Sequence, residues 1–289
     1  MYRDRVEECM GAASRSGNLE EVRQAARAHS YDDYLAATLA PRSVAADFMI
    51  LAAYFGEIAR VPREVSETGL GAIRLQWWRD AIGGEHESGH PVADAMKDMI
   101  ERRGLDRDRI FAPIDAAQAL LHPEPFESDA AFAEMLRGMD GAHFGLRGFL
   151  LGQTDGNQRE TLEALGVSLA LIRHCAALPV FFAKGRLPVS RRQLPSDALD
   201  VHEGDIDAAV LARLADGLVR IADHQWREAR GRAKSLDAVS RQAAATFALA
   251  GPYLKALQRV GRDPVRELAE LPPLSRVLTL AWTAATGRM

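Results

Sequence analysis

The sequence has few lysines, two cysteines and no excess of positive charge. Only four of its 36 basic residues are lysines, and the cysteines are Cys9 and Cys175. Two cysteines this far apart indicate neither a disulfide framework nor a thiolate metal site. The formal net charge of −4 and the pI near 6.1 lack the basic field of a nucleic-acid-binding protein, so we expect no nucleic-acid partner.

Signals for export and for crossing a membrane are also missing. The first ten residues, MYRDRVEECM, mix acidic and basic side chains and lead into no apolar segment, unlike a secretory signal. No uninterrupted apolar run approaches the roughly 18 residues that a membrane-spanning helix requires. We therefore expect a soluble cytoplasmic protein that is at most peripheral to the inner membrane.

Strand patterns are scarce, whereas helical patterns recur from end to end. Apolar residues rarely alternate with polar ones, but they repeat at intervals of three and four residues. The hydrophobic fraction of 47% is ample for a core, and no low-complexity linker divides the chain. The sequence therefore predicts an all-α protein with a single domain over residues 1–289.

Proline, glycine and capping residues set the ends of the predicted helices. Pro62 is expected to end one helix, Ser66 or Thr68 to cap the next, and Asp129 to start a long helix. The segment 184–204 is polar and contains two prolines, which predicts a surface flap. The other predicted helices cover residues 19–28, 31–39, 42–61, 70–84, 92–103, 107–121, 129–151, 158–183, 205–232, 242–260 and 275–286.

Residues 165–188, LGVSLALIRHCAALPVFFAKGRLP, are the most apolar stretch of the chain. A helix that is apolar on nearly every side is surrounded by neighbours. Arg173 and His174 interrupt this pattern. Their side chains could anchor an anion, because guanidinium pairs well with phosphate oxygens. The alternative is that they turn outward or pair with an acid of a neighbouring helix.

Other titratable residues give weaker signals. His86, His90 and His122 lie in predicted loops with glutamates nearby, but their spacing matches no metal site, so we expect solvated side chains. Asp140 and His143 stand three residues apart on a predicted helix and could form an acid/base pair. Without an implied nucleophile or metal, we expect a surface pair or a contact between helices.

Four segments carry a resemblance to a known family. They are GEIARV at 56–61, IRLQWWRDAI at 73–82, GRLP at 185–188 and GPYLKALQRVGRDP at 251–264. In this order and at these separations, the chain resembles the squalene/phytoene synthase family of head-to-head prenyl synthases. The resemblance implies an isoprenoid-synthase bundle of helices around a deep apolar cavity.

The resemblance also implies two Mg²⁺ sites, which this chain lacks the residues to build. Members of the family hold Mg²⁺ with two D-x-x-x-D motifs, whose carboxylates share one helical face. Ala59 and Arg63 stand at the first motif, and Ala177 and Phe181 stand at the second. No Asp or Glu occurs in residues 165–188. We therefore expect no metal site and no catalytic residue.

The implied cavity has further candidate residues. Members of the family carry two polar residues one and two turns before the second motif, and Ala170 and Arg173 stand at those positions in this chain. Trp77 and Trp78 point roughly 100° apart on a helix, so at most one of them faces the cavity. The residues expected to line the cavity or to bind an anion are Phe55, Arg74, Trp77, Trp78, Ala170 and Arg173.

Three hypotheses for function follow. The first is a non-catalytic protein of the branch that includes the assembly factor of respiratory complex I, with a respiratory subunit as partner and no cofactor. The second is an active prenyltransferase that uses prenyl diphosphates and Mg²⁺. The third is a carrier that holds a terpenoid or another apolar lipid in the cavity without chemistry.

Overall fold

The computed structural model describes residues 19–194 and 207–289, and most of these residues are helical. Within them there is no β-strand, and a lone bridge joins Phe126 to Ser190. The prediction of an all-α protein is therefore confirmed for this part of the chain. The first 18 residues, including Cys9, and the predicted start of a helix at Asp205 lie outside the described residues.

The helices keep the order that the periodicity predicts, with some different ends. A turn of π-helix (Arg137–Gly141) follows α7, and a 3₁₀ segment (Ala245–Leu249) precedes α12. The α-helices are α1 (19–29), α2 (Tyr31–Thr38), α3 (Ala45–Glu64), α4 (Thr68–Gly83), α5 (Pro91–Arg103), α6 (Arg107–Ala119), α7 (Asp129–Leu136), α8 (Ala142–Leu150), α9 (Gly156–Phe182), α10 (Ala208–Ala233), α11 (Ala238–Ala243), α12 (Ala250–Leu257) and α13 (Pro273–Thr286).

The helices pack around two hydrophobic cores. One core is built mainly by α1 to α6 and by one face of α8, and the other is built mainly by α7 and α9 to α13. Leu35, Met139 and Leu151 pack against both cores. The seam between the cores is therefore closed by apolar side chains from α2 and from the region around α8.

Helix α9 is the centre of the second core. Asp155 caps it by accepting hydrogen bonds from the backbone N–H groups of Asn157 and Gln158, and the helix packs against α7, α8, α10, α11 and α12. By length and apolarity it is the one described helix that could cross a membrane. However, 78% of its most apolar window is buried inside the protein. A helix in the core of a protein has the same length and apolarity.

Several helix ends differ from the prediction. Pro62 does not end α3, because Val65 N–H still donates to the Val61 carbonyl at 3.0 Å and the helix continues to Glu64. Thr68 does not cap α4, since its hydroxyl donates to the Leu121 carbonyl instead. Ser128 caps α7 by accepting from Ala131 N–H at 3.1 Å, so Asp129 is the first helical residue rather than the cap.

The predicted helix 129–151 is interrupted at the π-turn. Met139 has φ −83° and ψ −115°, outside the helical region, and the chain resumes as α8 after the kink. The glycines allow neighbouring helices to approach: a methyl group at Gly138 would lie 2.7 Å from the Ala112 carbonyl oxygen of α6. Such turns occur often at functional sites, and this one turns Asp140 and His143 toward the interior.

The described part of the predicted flap, residues 184–194, is packed against the protein. Arg186 is buried and donates to the backbone carbonyls of Pro62 at 2.6 Å, Val65 at 2.9 Å and Ser66 at 3.1 Å. Val189 and Ser190 are fully buried. The prediction of a surface flap is wrong for these residues, because an arginine can satisfy several carbonyls at once. Residues 195–206 lie outside the described part.

Candidate functional site

A cavity of about 470 Å³ opens between the two cores. Its walls come from the start of α2, from α3, from the π-turn and α8, from α9, from Tyr253 of α12 and from residues 268–276. One part of the wall is apolar and includes Phe55, Leu136 and Phe181. The other part carries charges, so the cavity joins an apolar wall to a polar one.

Seven of the residues predicted at the two degenerate motifs or in the implied cavity meet in this cavity. They come from one face of α3 and one face of α9, where intervals of three and four residues place side chains on the same side of a helix. Arg63 is exposed at its rim. The seven lining residues are Phe55, Ala59, Arg63, Ala170, Arg173, Ala177 and Phe181.

Three other predicted cavity residues lie elsewhere. Arg74 and Trp77 are exposed on α4, and Trp78 packs edge-on against Tyr54, with ring centroids 5.9 Å apart. The expectation for these residues is corrected, because α4 packs against α3, α5 and α6, and this arrangement turns both tryptophans away from α9.

Three aspartates and three arginines form an ionic cluster at the polar wall. The aspartates are Asp32 and Asp33 in the first turn of α2 and Asp140 in the π-turn. The arginines are Arg147 of α8, Arg173 of α9 and Arg276 of α13. All three aspartates are buried, and each one pairs with at least one arginine.

Arg173 is the hub of this ionic cluster. One guanidinium nitrogen, Nη1, donates to Asp140 and lies 3.1 Å from Asp33 Oδ2. The other, Nη2, lies 3.5 Å from Asp32 Oδ2. Of the two alternatives for Arg173, the structure therefore shows pairing with acids of neighbouring helices, not an unpaired anchor for an anion.

Arg147 and Arg276 also neutralise the buried aspartates. Arg147 is fully buried, donates to Asp33 Oδ1 at 2.9 Å and lies over the ring of Phe48. Arg276 Nη1 lies 3.4 Å from Asp32 Oδ1. Tyr253 also donates its hydroxyl to Asp32 Oδ2 at 2.8 Å. A buried carboxylate needs such partners, because an isolated charge in an apolar interior is strongly unfavourable.

The two acids closest to Arg173 ionise differently. Burial raises the pKa of Asp33, but the guanidinium groups of Arg173 and Arg147 outweigh burial and hold that pKa well below its ordinary value. Burial raises the pKa of Asp140 to about 6, although Arg173 opposes the rise, and the charge on Asp33 adds to it. Asp33 is thus the firmly ionised member of the pair.

His143 lies beside these charges without carrying one. Its ring stacks on Phe55 with centroids 4.3 Å apart, and burial, reinforced by Arg147, lowers its pKa well below the ordinary value. Its Nε2 atom is buried and has no hydrogen-bond partner. Asp140 and His143 are both buried in the interior, with no hydrogen bond between them, so the expectation of a surface pair is wrong.

His174 is buried on the neighbouring side of α9. Its Nε2 donates to the Pro188 carbonyl at 2.6 Å, since a carbonyl oxygen can only accept. Burial lowers the pKa of His174 to about 4, although the bond to Pro188 opposes this shift. His174 therefore links α9 to the GRLP segment as a neutral ring.

Acid is expected to destabilise the protein through His174. In the unfolded chain the ring takes up a proton near its ordinary pKa of 6.5, whereas the folded chain resists protonation down to about 4. The contribution of His174 is complete above pH 6.5 and is lost as pH falls. Between pH 7 and pH 5 the loss is about 2 kcal/mol.

The variant His174→Gln isolates this effect, because glutamine keeps a donor for Pro188 but does not titrate. Urea unfolding of both proteins at pH 7, 6 and 5 gives the difference in free energy of unfolding. We expect that difference to shift by about 2 kcal/mol in favour of the variant toward pH 5. Parallel pH profiles for the two proteins would contradict the assignment. The contributions of Asp140 and His143 to the pH dependence cancel in the comparison, because both proteins contain these residues.

Sequence reasoning missed Asp32, Asp33 and Arg147. Adjacent acids at the start of a helix are typical of the residues that complement its dipole, so Asp32 and Asp33 gave no signal of a core position. Arg147 stands in the apolar segment HFGLRGFL, and a charge in such a segment is the one signal that could have indicated a buried ion pair.

The cavity does not fit the Mg²⁺ that the resemblance implies. Asp33, Asp140 and His143 each bring one potential ligand atom to within 4.8 Å of the others. Arg173 already bonds both carboxylates and Arg147 bonds Asp33, so fixed cations stand where a metal ion would have to bind. Mg²⁺ also requires near-octahedral oxygen coordination, and Ala177 and Phe181 of α9 offer no side-chain oxygen.

Two known structures share this fold. The squalene synthase HpnC from Alicyclobacillus acidocaldarius superposes with a TM-score of 0.65 at 17% identity, over 89% of this chain and 97% of that one. A dehydrosqualene synthase in complex with ligand gives a TM-score of 0.69 at 15% identity, over 94% and 97%. At these identities the similarity establishes the isoprenoid-synthase fold that the resemblance implied.

Sequence comparison gives the family. The mouse (Mus musculus) protein "NADH dehydrogenase (ubiquinone) complex I, assembly factor 6" is 25% identical over 250 residues, which are 82% of this chain and 73% of the relative. Its rat (Rattus norvegicus) counterpart is 28% identical over 105 residues, 35% of this chain and 32% of the relative. The family model "Squalene/phytoene synthase" matches residues 26–281. The chain therefore belongs to the squalene/phytoene synthase family.

Proposed function

We propose that this chain is a non-catalytic member of its family and acts as an assembly factor for respiratory complex I. The ionic cluster is the observation that carries the first half of the proposal. Every carboxylate of the cluster is engaged by arginine. Releasing Asp33 for a metal would leave the buried guanidinium of Arg147 without a carboxylate partner, which is strongly unfavourable.

The faces of α3 and α9 support the same conclusion. They meet across the cavity, where prenyl synthases need carboxylates for Mg²⁺ and diphosphate. Ala59, Arg63, Ala177 and Phe181 line the cavity instead. Without acidic ligands the metal cannot neutralise a leaving diphosphate. We therefore propose that the protein needs no cofactor.

The second half of the proposal rests on the mouse relative. It matches 82% of this chain at 25% identity and is named as an assembly factor of complex I. The partner that we propose is a subunit of the respiratory complex that is still being assembled. The protein would then work in the cytoplasm at the inner membrane, where such a subunit is inserted or docked.

Deleting the gene is expected to remove most of the NADH:quinone oxidoreductase activity of the membranes, because unassembled subunits are degraded. The activity is measured in isolated membranes, together with the amount of the complex on native gels. Succinate:quinone oxidoreductase activity is the control and should stay unchanged. Normal level and activity of the NADH enzyme in the deletion strain would exclude the assembly role.

The purified protein tests the non-catalytic half separately. With farnesyl or geranylgeranyl diphosphate and Mg²⁺, we expect no release of diphosphate above the rate in buffer. Release that requires the protein and is abolished by EDTA would instead establish the prenyltransferase hypothesis. Because this assay does not involve complex I, either half of the proposal can fail alone.

A lipid carrier is the second candidate, and the cavity itself favours it. A volume of about 470 Å³ lies within the usual range for small-molecule sites, and His143 Nε2 has no partner in the structure. A terpenoid or another lipid with a polar head would fill the apolar part and bond this atom. Native mass spectrometry of the purified protein that shows no bound lipid would count against this candidate.

A further inference from the structure

The outward face of α13 is apolar and uncovered. Leu274 is 68% exposed, Val277 39%, Leu278 60% and Trp282 60%. Their spacing of three and four residues places them on one side of the helix, while Leu280 and Thr283 are buried on the other. No charged side chain interrupts this outward face, which is unusual for a helix on the surface of a soluble protein.

A continuous apolar stripe of this kind marks a contact surface rather than ordinary surface variation. Scattered exposed apolar residues need no explanation, but contiguous ones mark sites of interaction with proteins or membranes. Two turns of α13 expose large side chains in succession, and the small residues Ala281 and Ala285 complete the same face. The charged residues around the stripe then indicate which kind of partner fits it.

The charges around α13 favour an anionic lipid surface. Residues 271–289 contain no Asp or Glu, and their two charged residues are Arg276 and Arg288. Arg288 is exposed, and the side chain of Arg241 lies beside Gly287. Among the described residues, neither Arg241 nor Arg288 has an acidic partner. Free arginines beside an apolar stripe complement the negative charge of phospholipid headgroups.

Trp282 adds to this pattern. Tryptophan is enriched at the boundary between acyl chains and headgroups, because its ring is apolar and its N–H remains polar. An amphipathic helix with such a residue lies in the plane of the interface rather than across it. With 14 residues, α13 is also too short to span the hydrocarbon core.

We propose that the outward face of α13 docks on an anionic lipid bilayer. The cavity opens beside this helix, because Leu268, Glu270 and Arg276 belong to its wall and Leu274 begins the stripe. Docking would bring this edge of the cavity close to the membrane. The proposal holds whether or not the protein assists complex I, since it depends only on the surface of α13 and the arginines beside it.

Flotation with vesicles tests the docking. The full-length protein is mixed with vesicles of phosphatidylcholine alone or of phosphatidylcholine with phosphatidylglycerol. We expect it to float with the anionic vesicles, to bind the neutral ones more weakly, and to be released by high salt. No flotation with the anionic vesicles, or equal binding to both kinds, would overturn the proposal.

Matched variants locate the contact. Leu278→Gln/Trp282→Gln removes two large apolar side chains of the stripe at exposed positions, and binding is expected to weaken at least about tenfold. The control Leu70→Gln/Ile73→Gln removes two exposed apolar residues of α4 and should bind like the wild type. Circular dichroism melting verifies that both variants fold. Equal losses in the two variants, or none in the first, would overturn the assignment to α13.

Discussion

Replacing Arg147 by methionine is expected to lower the free energy of unfolding by about 3–5 kcal/mol, because removing one partner of a buried ion pair leaves an uncompensated charge. Arg147 is fully buried, and it donates to Asp33 at 2.9 Å. Urea unfolding monitored by circular dichroism measures the loss. Methionine keeps the length of the side chain, so little of the effect comes from an empty space.

Two further variants make this result specific. The pair Asp33→Asn/Arg147→Met should cost less than the sum of its single substitutions, since the second change removes the stranded charge. Arg227→Met breaks a pair with Asp223 whose arginine is largely exposed, so it should cost about 1 kcal/mol or less. A loss below about 1 kcal/mol for Arg147→Met would contradict the importance of the buried pair.

Gly166→Ala is expected to destabilise the protein by about 3 kcal/mol, the upper end of the usual cost of overpacking. A methyl group there would lie 2.6 Å from the carbonyl carbon of Asp140 and 2.7 Å from Cα of Gly141. Both atoms belong to the backbone of the π-turn, which cannot move without shifting Asp140. Thermal and urea unfolding measure the loss.

Gly231→Ala is the matched control for Gly166→Ala. It makes the same chemical change inside α10, where a methyl group would meet nothing within 4 Å. Since alanine favours the helix, we expect a gain of roughly 0.5–1 kcal/mol. If both variants were stabilised alike, the close approach of α9 to the π-turn would be excluded.

The sequence predicts the regular helices well and the interruptions poorly. Helix α9 begins and ends within two residues of the prediction, and α5 and α13 also lie close to it. These helices carry clear apolar periodicity and defined caps. The break at Arg137–Gly141 was missed because its glycines indicate only a weakened helix, and the extra residue of the π-turn is imposed by contacts with α6 and α9.

The candidate site was also predictable in part, because the apolar periodicity of the helices determines which residues share a face. Periodicity and the family resemblance together place Ala59, Arg63, Ala177 and Phe181 on faces that meet in the cavity. The partners of Arg173 were not predictable, because Asp33 is 140 residues away along the chain. No local pattern encodes a contact over that distance. The position of α4 was likewise set by packing, which turned Trp77 and Trp78 away.

The ionic cluster has a consequence for the kinetics of folding. It joins Asp32 near the start of the described chain to Arg276 near its end, so we expect its last contacts to form only after most of the chain has come together. Contacts made late contribute little to the transition state. Weakening them should therefore speed unfolding and leave the folding rate nearly unchanged. The lifetime of the folded protein, more than the speed of its formation, then depends on these few charges.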